Sequence, residues 1–520
     1  MSVGEPSIGW DDRCGLASVI GEIAVKEREP GRDAPGPKIA IVGAGISGLC
    51  MGIRLKRAGI HTFTIFEKSS KVGGTWRENI YPGSGCDVPS HLYSFSFEPN
   101  PAFTHKYSLQ PEIERYLDHC AEKYGIVPHV RFDTEIAGAE FDEVEGRWKI
   151  RTSTGEEIVA DVLVSGTGQL NRPAIPPIPG LTEFLGTTFH SARYPRSHDV
   201  SSEHVAVIGS GASAIQLIPR VAERAAKLSV FQRTPNWIVP RGDHAYGSRA
   251  QWLFGHVPLL LQAYRTLVFW ACEVRFFGLR KDSPMRERVE DAAKTFMESQ
   301  VRNPELRAKL TPTYPIGCKR VLISDDYYPA LERKNVELVT DPIERFSADS
   351  IVTRSGTSYR VDTVVFATGF ETTTFLAPME IKGNAGLLLA DAWREGAEAY
   401  LGVAVTGFPN LFLLYGPNTN LGHNSIIFMI ECQVGYVLQC IDRLRGARST
   451  LEVNPEAMRL FNRELARDLE KTAWGGDCNN WYKTASGKIT NNWAGFSVEY
   501  WLRTRRPDFR AFETRVLPPR

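Results

Sequence analysis

Two glycine-rich turns of the same kind, 166 residues apart, restrict this chain more than any other feature. In "KIAIVGAGISGLCMGIRLKRAG" a run of branched apolar residues enters Gly43-x-Gly45-x-x-Gly48 and then a helical pattern. "HVAVIGSGASAIQLIPRVA" repeats the arrangement with Gly209-x-Gly211-x-x-Ala214. A continuous apolar run of this kind reads as a parallel strand buried on both faces. A glycine turn between strand and helix lets a pyrophosphate approach the backbone. The helix N-terminus then supplies free N–H groups and a partial positive charge. The pattern predicts an α/β fold with two Rossmann-like dinucleotide-binding domains.

The two units differ at the end of their second strand. In the first, the strand "HTFTIFEK" ends on Glu67, 19 residues beyond Gly48. A carboxylate there accepts hydrogen bonds from ribose hydroxyls. In the second, "LSVFQR" ends in Gln232-Arg233-Thr234. A carboxylate would repel a 2′-phosphate, whereas an arginine and a hydroxyl bind one. The first site therefore reads as a dinucleotide with a free 2′-hydroxyl and the second as NADP. FAD with NADPH is the natural pairing, because hydride passes from nicotinamide to flavin.

The destination of the electrons is narrowed by the cysteines. There are nine, an odd number, with no CxxC pair. That argues against a disulfide framework, a zinc site and a redox-active dithiol, and it favours a reducing cytoplasm. Oxygen or a protein electron acceptor is left. A net charge of +1 gives no reason to expect nucleic acid or an acidic membrane as partner. Asp11, Asp12 and Arg13 stand where a signal peptide would need an apolar run.

The segmentation expected from composition is an N-terminal extension over residues 1–36, then a first part of an FAD-binding domain over 37–170. An NADP-binding domain comes next over 171–360, with a helical insertion at about 245–312. The second part of the FAD-binding domain and a C-terminal segment fill 361–520. "NRPAIPPIPG", with four prolines, reads as a stiff linker. "HVPLLLQAYRTLVFWACEVRFFG" is the most apolar stretch but is broken by Gln262, Arg265, Glu273 and Arg275. It is too short and charged to span a bilayer. Its main reading is a pair of amphipathic helices over a core, with a peripheral membrane or partner contact as the lesser alternative.

One further stretch is dense in special residues: "GGTWRENIYPGSGCD", Gly73 to Asp87. It matches a long pattern of small-Gly-x-Trp, four residues, aromatic-Pro-Gly, three residues, Asp. "FLGTTFHSARYP" (Phe184 to Pro195) matches a Phe-x-Gly-x-x-x-His-x-x-x-Trp-Pro fingerprint, with Tyr194 in place of Trp. With "FQRTP", "GCKR" and "DTVVFATGF", these identify a resemblance to the type I Baeyer–Villiger flavoprotein monooxygenases, related to the flavin-containing monooxygenases. It runs from about Lys38 to about Arg506. The amine- and sulfide-oxygenating relatives accept tyrosine or phenylalanine at the position of Tyr194, so N- or S-oxygenation is the alternative activity.

The resemblance implies a disulfide-reductase-like architecture and an NADPH- and oxygen-dependent reaction. A flavin C4a-peroxide would attack a ketone and insert oxygen beside the carbonyl, giving an ester or lactone. Arg320, in "PIGCKR", matches the family's active-site arginine, and Asp87 the carboxylate that positions it. Both are implied to lie near flavin and nicotinamide. Gly74, Thr75, Trp76 and Tyr93 are implied flavin-side contacts. Ser213 is implied at the NADP pyrophosphate, and Lys319 at the 2′-phosphate with Arg233 and Thr234. Trp481 resembles a tryptophan that contacts NADP, a core tryptophan being the other reading. His190, in the linker, reads as a hinge or gating residue and not as a base. "GPNTNLGHNSIIFM" (Gly416 to Met429) is implied to border the flavin and substrate pocket, an ordinary loop entering a helix being the other reading.

Overall fold

The computed structural model describes residues 36–446, 448–476 and 480–518. Apart from Gly36, the N-terminal extension lies outside them. The first glycine unit forms the strand Ile39–Val42 and the helix Ile46–Arg57. The strand is central in a five-stranded parallel sheet, ordered Leu411–Leu413, Val162–Ser165, Ile39–Val42, Phe63–Phe66 and Val130–Arg131. Ile39 is in register with both Phe63 and Val162. The helix Ile426–Arg443 is buried over most of its length, so its near-continuous apolar sequence has no water-facing stripe.

The second unit forms the strand His204–Ile208 and the helix Ala212–Ala222. Its parallel sheet runs Val336–Val339, Lys227–Phe231, His204–Ile208, Thr363–Phe366 and Thr187–His190. A boundary at residue 360 would give Thr363–Phe366 to the other unit. The pairing of this strand with both His204–Ile208 and Thr187–His190 puts it in the second sheet instead. An antiparallel meander, Ile136–Asp142, Arg147–Thr152 and Glu157–Ala160, leads back into the first sheet. There the alternation of buried and exposed residues marks one covered face.

The insertion consists of helices Ser248–His256, Pro258–Val274, Pro284–Gln300 and Pro304–Leu310. Three of them begin on proline, whose missing N–H costs nothing in the first turn. Ser283 and Asn303 cap two of these with their side-chain oxygens. Among the described cysteines, Cys50, Cys86, Cys120, Cys272, Cys432 and Cys440 are free thiols. Cys318 departs from the expectation, because it is disulfide-bonded.

Candidate active site

The "GGTWRENIYPGSGCD" stretch lies across the first glycine turn. The Gly73 N–H donates to the Ala44 carbonyl at 3.0 Å. Gly74 has φ +53°, and a Cβ there would stand 3.0 Å from the Gly45 Cα. Gly74 is thus required, by its positive φ and by a backbone-to-backbone approach that a side chain would crowd. A cavity of about 360 Å³ opens beside this crossing. Gly43, Gly45, Glu67, Gly74, Thr75, Trp76, Asp87, Tyr93, Ser213 and Arg320 all line it.

Each wall has a local cause. The helix Ile46–Arg57 has Gly45 at its N-cap and no side-chain cap, so its first N–H groups face the cavity without a protein side chain on them. The second glycine helix has the same feature at Gly211, and a Cβ placed there meets nothing within 4 Å. Glu67 is buried at the strand end. One of its carboxylate oxygens accepts from the Ala44 N–H at 2.7 Å and the other from the Ser69 N–H at 2.9 Å. Each oxygen keeps a second lone pair for a ribose hydroxyl. The Trp76 indole donates to the Tyr93 hydroxyl at 3.0 Å, with the rings edge-on at 5.6 Å.

The stretch is also clamped to the second glycine unit. Tyr81 donates to Gln216 Oε1 at 2.9 Å, and Gln216 Nε2 donates to the Gly85 carbonyl at 2.9 Å. Gly83, with φ +84°, lets the turn approach the Gln216 carbonyl so closely that a Cβ would lie 2.3 Å from it. The loop that covers one dinucleotide turn therefore rests on the helix of the other.

At the end of the stretch, the Asp87 carboxylate accepts a hydrogen bond from Arg320 Nη2. Burial alone would raise the Asp87 carboxyl. The Arg320 charge and hydrogen bond, with lesser help from Arg241, outweigh it and hold the group below the ordinary carboxylate range. Asp87 in turn raises Arg320 above the usual guanidinium value. The two side chains keep 33% and 28% exposure, because they face the cavity. The guanidinium therefore retains N–H groups for a bound molecule.

Arg233, Thr234, Lys319, Gly209, Gly211 and Trp481 are not among the residues that line this cavity. Arg233 is exposed just beyond the strand Lys227–Phe231. Lys319 is half-buried, with its ammonium 4.8 Å from the Tyr314 ring centre. Burial, and then the Arg233 charge, lower it below the ordinary lysine value. Two cations that disfavour each other form a surface suited to a phosphate. Ser210 donates to the Thr234 carbonyl at 3.0 Å. Trp481 packs on Tyr482 at 4.6 Å, and its carbonyl accepts from Thr372, a cavity residue, at 2.9 Å.

His190 Nδ1 accepts from the Ala192 N–H at 3.1 Å, so Nε2 carries the proton toward the Gly369 carbonyl at 3.0 Å. Both ring nitrogens are engaged, and burial lowers the ring pKa. Tyr194 is buried beside Phe189 at 4.9 Å in the core of the second unit, and it too is absent from the cavity wall.

Sequence reasoning missed Tyr81, Gln216, Gln169, Tyr415 and the Phe370–Met379 wall. Tyr415 sits at φ +57° and donates to Asn420 Oδ1 at 2.7 Å. The glycine- and asparagine-rich run after it was a usable signal, since Asn420, Leu421, Asn424 and Ile426 all line the cavity. The Phe370–Met379 wall has no periodicity that would mark it.

A family profile described as Flavin-binding monooxygenase-like matches residues 36–254. The chain is 41% identical over 485 residues to a Baeyer-Villiger monooxygenase of Streptomyces coelicolor, covering 93% of each chain. It is 41% identical to a Baeyer-Villiger monooxygenase of Pseudomonas aeruginosa, covering 92% of each. Its fold matches a crystal structure of OTEMO in complex with FAD and NADP, with a TM-score of 0.82 and 27% identity. That match covers 93% of this chain and all of the other.

Proposed function

The chain belongs to the Baeyer–Villiger monooxygenases, FAD- and NADPH-dependent oxidoreductases, and from that premise we propose how its own residues carry out the reaction and on what substrate. When bound and reduced by NADPH, the flavin supplies the activated oxygen that is inserted. The residues present fit that cofactor. The uncapped helix at Gly45 presents N–H groups for a pyrophosphate, Glu67 keeps lone pairs for a ribose, and the Gly45–Gly74 approach makes a wall without side chains. Gly43 and Tyr93 complete this side, while Gly48, which is not on the cavity wall, lets the helix pack on the Gly43 carbonyl, 1.9 Å from where its Cβ would stand. The uncapped helix at Gly211 with Ser213, and the cations Arg233 and Lys319 with Thr234, are assigned to NADPH.

We assign the first sheet with the C-terminal helices to FAD and the second sheet to NADPH. His190, expected in a linker, instead ends a strand of the second sheet, where its ring holds the Gly369 turn after Thr363–Phe366. Trp481 and Tyr482 lie against the arginine loop. Asn480 Nδ2 donates to the Cys318 carbonyl at 2.9 Å, two residues before Arg320.

The substrate proposed is a ketone. The observation that carries this is the Asp87–Arg320 pair on the wall of the flavin-side cavity. Ketone insertion passes through species with negative charge on oxygen, and a fixed guanidinium stabilises them without giving up its proton. At about 4 Å and an effective dielectric near 20, one such contact is worth about 4 kcal/mol. That is roughly a thousandfold in rate if it is made only in the transition state. Asp87 holds the guanidinium at the wall and prevents its turning to solvent.

The deciding experiment incubates the holoenzyme with NADPH, isotopically heavy dioxygen and a panel of cyclic, aryl and steroid ketones plus thioethers. An ester or lactone carrying one heavy oxygen is expected, by mass spectrometry. Sulfoxides alone, with every ketone recovered unchanged, would overturn the ketone reading.

A further inference from the structure

The helix Pro258–Val274 is apolar on both sides: Leu261, Phe269 and Cys272 are buried in the core together with its two charges. Its charges point inward. Arg265 is buried and donates to the carbonyls of His91 at 2.6 Å and Ser94 at 2.8 Å, and to the Ser94 hydroxyl at 2.7 Å. Glu273 is buried and accepts from Asn424 Nδ2 at 2.7 Å and from the backbone N–H groups of Ser497 and Val498. Its outward side is apolar. Leu259 is 76% exposed and Leu267 67%, with Leu260, Trp270 and Val274 on the same side. Positions 260, 263, 267, 270 and 274 recur at the spacing of one helical face. Trp252, Leu253 and Val257 before this helix and Phe277 after it extend the exposed apolar surface.

Exposed apolar residues scattered singly need no partner, but a contiguous face does. The surrounding charge says which. Between Ser248 and Lys281 the only acidic residue is Glu273, and it is buried. Arg249, Arg275, Arg280 and Lys281 are exposed, and Asp282 closes the stretch. A second copy of the chain docking through the same patch would bring these cations against each other. An anionic lipid surface meets them with opposite charge. Tryptophan and leucine on one face, with lysine and arginine at its edges, is the composition of a helix lying in a membrane interface. No helix among the described residues is long and apolar enough to cross a membrane.

We propose that the helices Ser248–His256 and Pro258–Val274, with Phe277, form a monotopic docking face for an anionic lipid bilayer. The inner side of this face holds Asn424, a residue of the cavity wall. The cavity of the docked enzyme is then separated from lipid by little more than one helix diameter, about 10 Å.

Flotation of the holoenzyme with vesicles of phosphatidylcholine and phosphatidylglycerol in equal parts tests this. Binding is expected, weaker on phosphatidylcholine alone and weakened by salt. Leu267→Gln with Trp270→Gln should reduce the bound fraction at least about tenfold. Arg280→Gln with Lys281→Gln should weaken binding about 30-fold, at about fivefold per charge. NADPH-driven flavin reduction should be unchanged in both variants. The proposal is overturned if the wild type stays unbound, or if both variants float as it does. It is also overturned if the apolar double substitution turns a dimer into a monomer in light scattering, which would assign the face to a second copy.

Discussion

Arg320 donates a hydrogen bond to Asp87 across 233 residues of sequence, and both side chains open onto one cavity. Asp87 is the last residue of the loop that crosses the first glycine turn, so the loop delivers a carboxylate to the wall where the arginine emerges. Its folded pKa is depressed. The stabilisation it contributes is complete above the ordinary value of 3.8 and is lost only as pH falls through the lower folded value. Changes of activity between pH 5 and 8 therefore arise elsewhere.

Arg320→Ala is expected to lower ester formation from ketones roughly a thousandfold. Stopped-flow reduction of the bound flavin by NADPH should stay within severalfold of wild type. Ketone oxygenation at the wild-type rate would remove Arg320 from the reaction.

Arg233→Ala and Lys319→Ala test the phosphate surface. A hydrogen bond to a charged group is worth about 1.5–3 kcal/mol, so each should raise KM for NADPH by roughly 10- to 100-fold. KM for NADH should barely move, because it has no 2′-phosphate. Equal losses with both coenzymes would show a structural effect instead.

Gly83→Ala probes the clamp between the two units. A Cβ at that position would lie 2.3 Å from the Gln216 carbonyl, on a backbone with positive φ. The loop has to shift, and a loss of about 1–3 kcal/mol in unfolding free energy is expected. Gln216→Ala removes the hydrogen bonds without the clash and should cost less. A Gly83→Ala protein as stable as wild type would mean that the turn is not held there.

Tyr194→Trp restores the residue usual in the fingerprint. Tyr194 packs on Phe189 and His198 away from the cavity, so the ratio of ketone to thioether products should not change. The larger ring should cost about 1–3 kcal/mol of stability by overpacking. A switch of product class would show that the position acts on the chemistry.

His91→Phe addresses pH. His91 is buried among Phe103, Tyr246, Phe254 and Tyr264, and burial lowers its pKa from 6.5 to about 4. The folded state resists a proton that the unfolded chain takes up. Stability present above pH 6.5 is therefore lost as pH falls toward 4, by up to about 3 kcal/mol. Thermal unfolding across that window should be less steeply pH-dependent in His91→Phe. Parallel curves for the two proteins would exclude the imidazole.

The strand–turn–helix units and the difference between Glu67 and Arg233 were legible from sequence, because each rests on neighbours within about 25 residues. Side-chain period, turn geometry and free helix N–H groups are local properties. The arginine and aspartate were readable only as members of motifs. Their pairing was expected from the resemblance and is what the fold makes, whereas tertiary structure alone decided the clamp of Gln216 on the loop and the placement of Thr363–Phe366 in the second sheet. It also put Tyr194 into a core, and it buried Leu261, Phe269 and Cys272 of Pro258–Val274 while leaving a second apolar side of that helix outward. Such outcomes depend on which surfaces meet after the chain has closed loops of a hundred residues or more. Hydrophobic spacing marks a face as apolar. Only packing, and the burial of Arg265 and Glu273 on the opposite side, determines whether that face meets the core or the solvent.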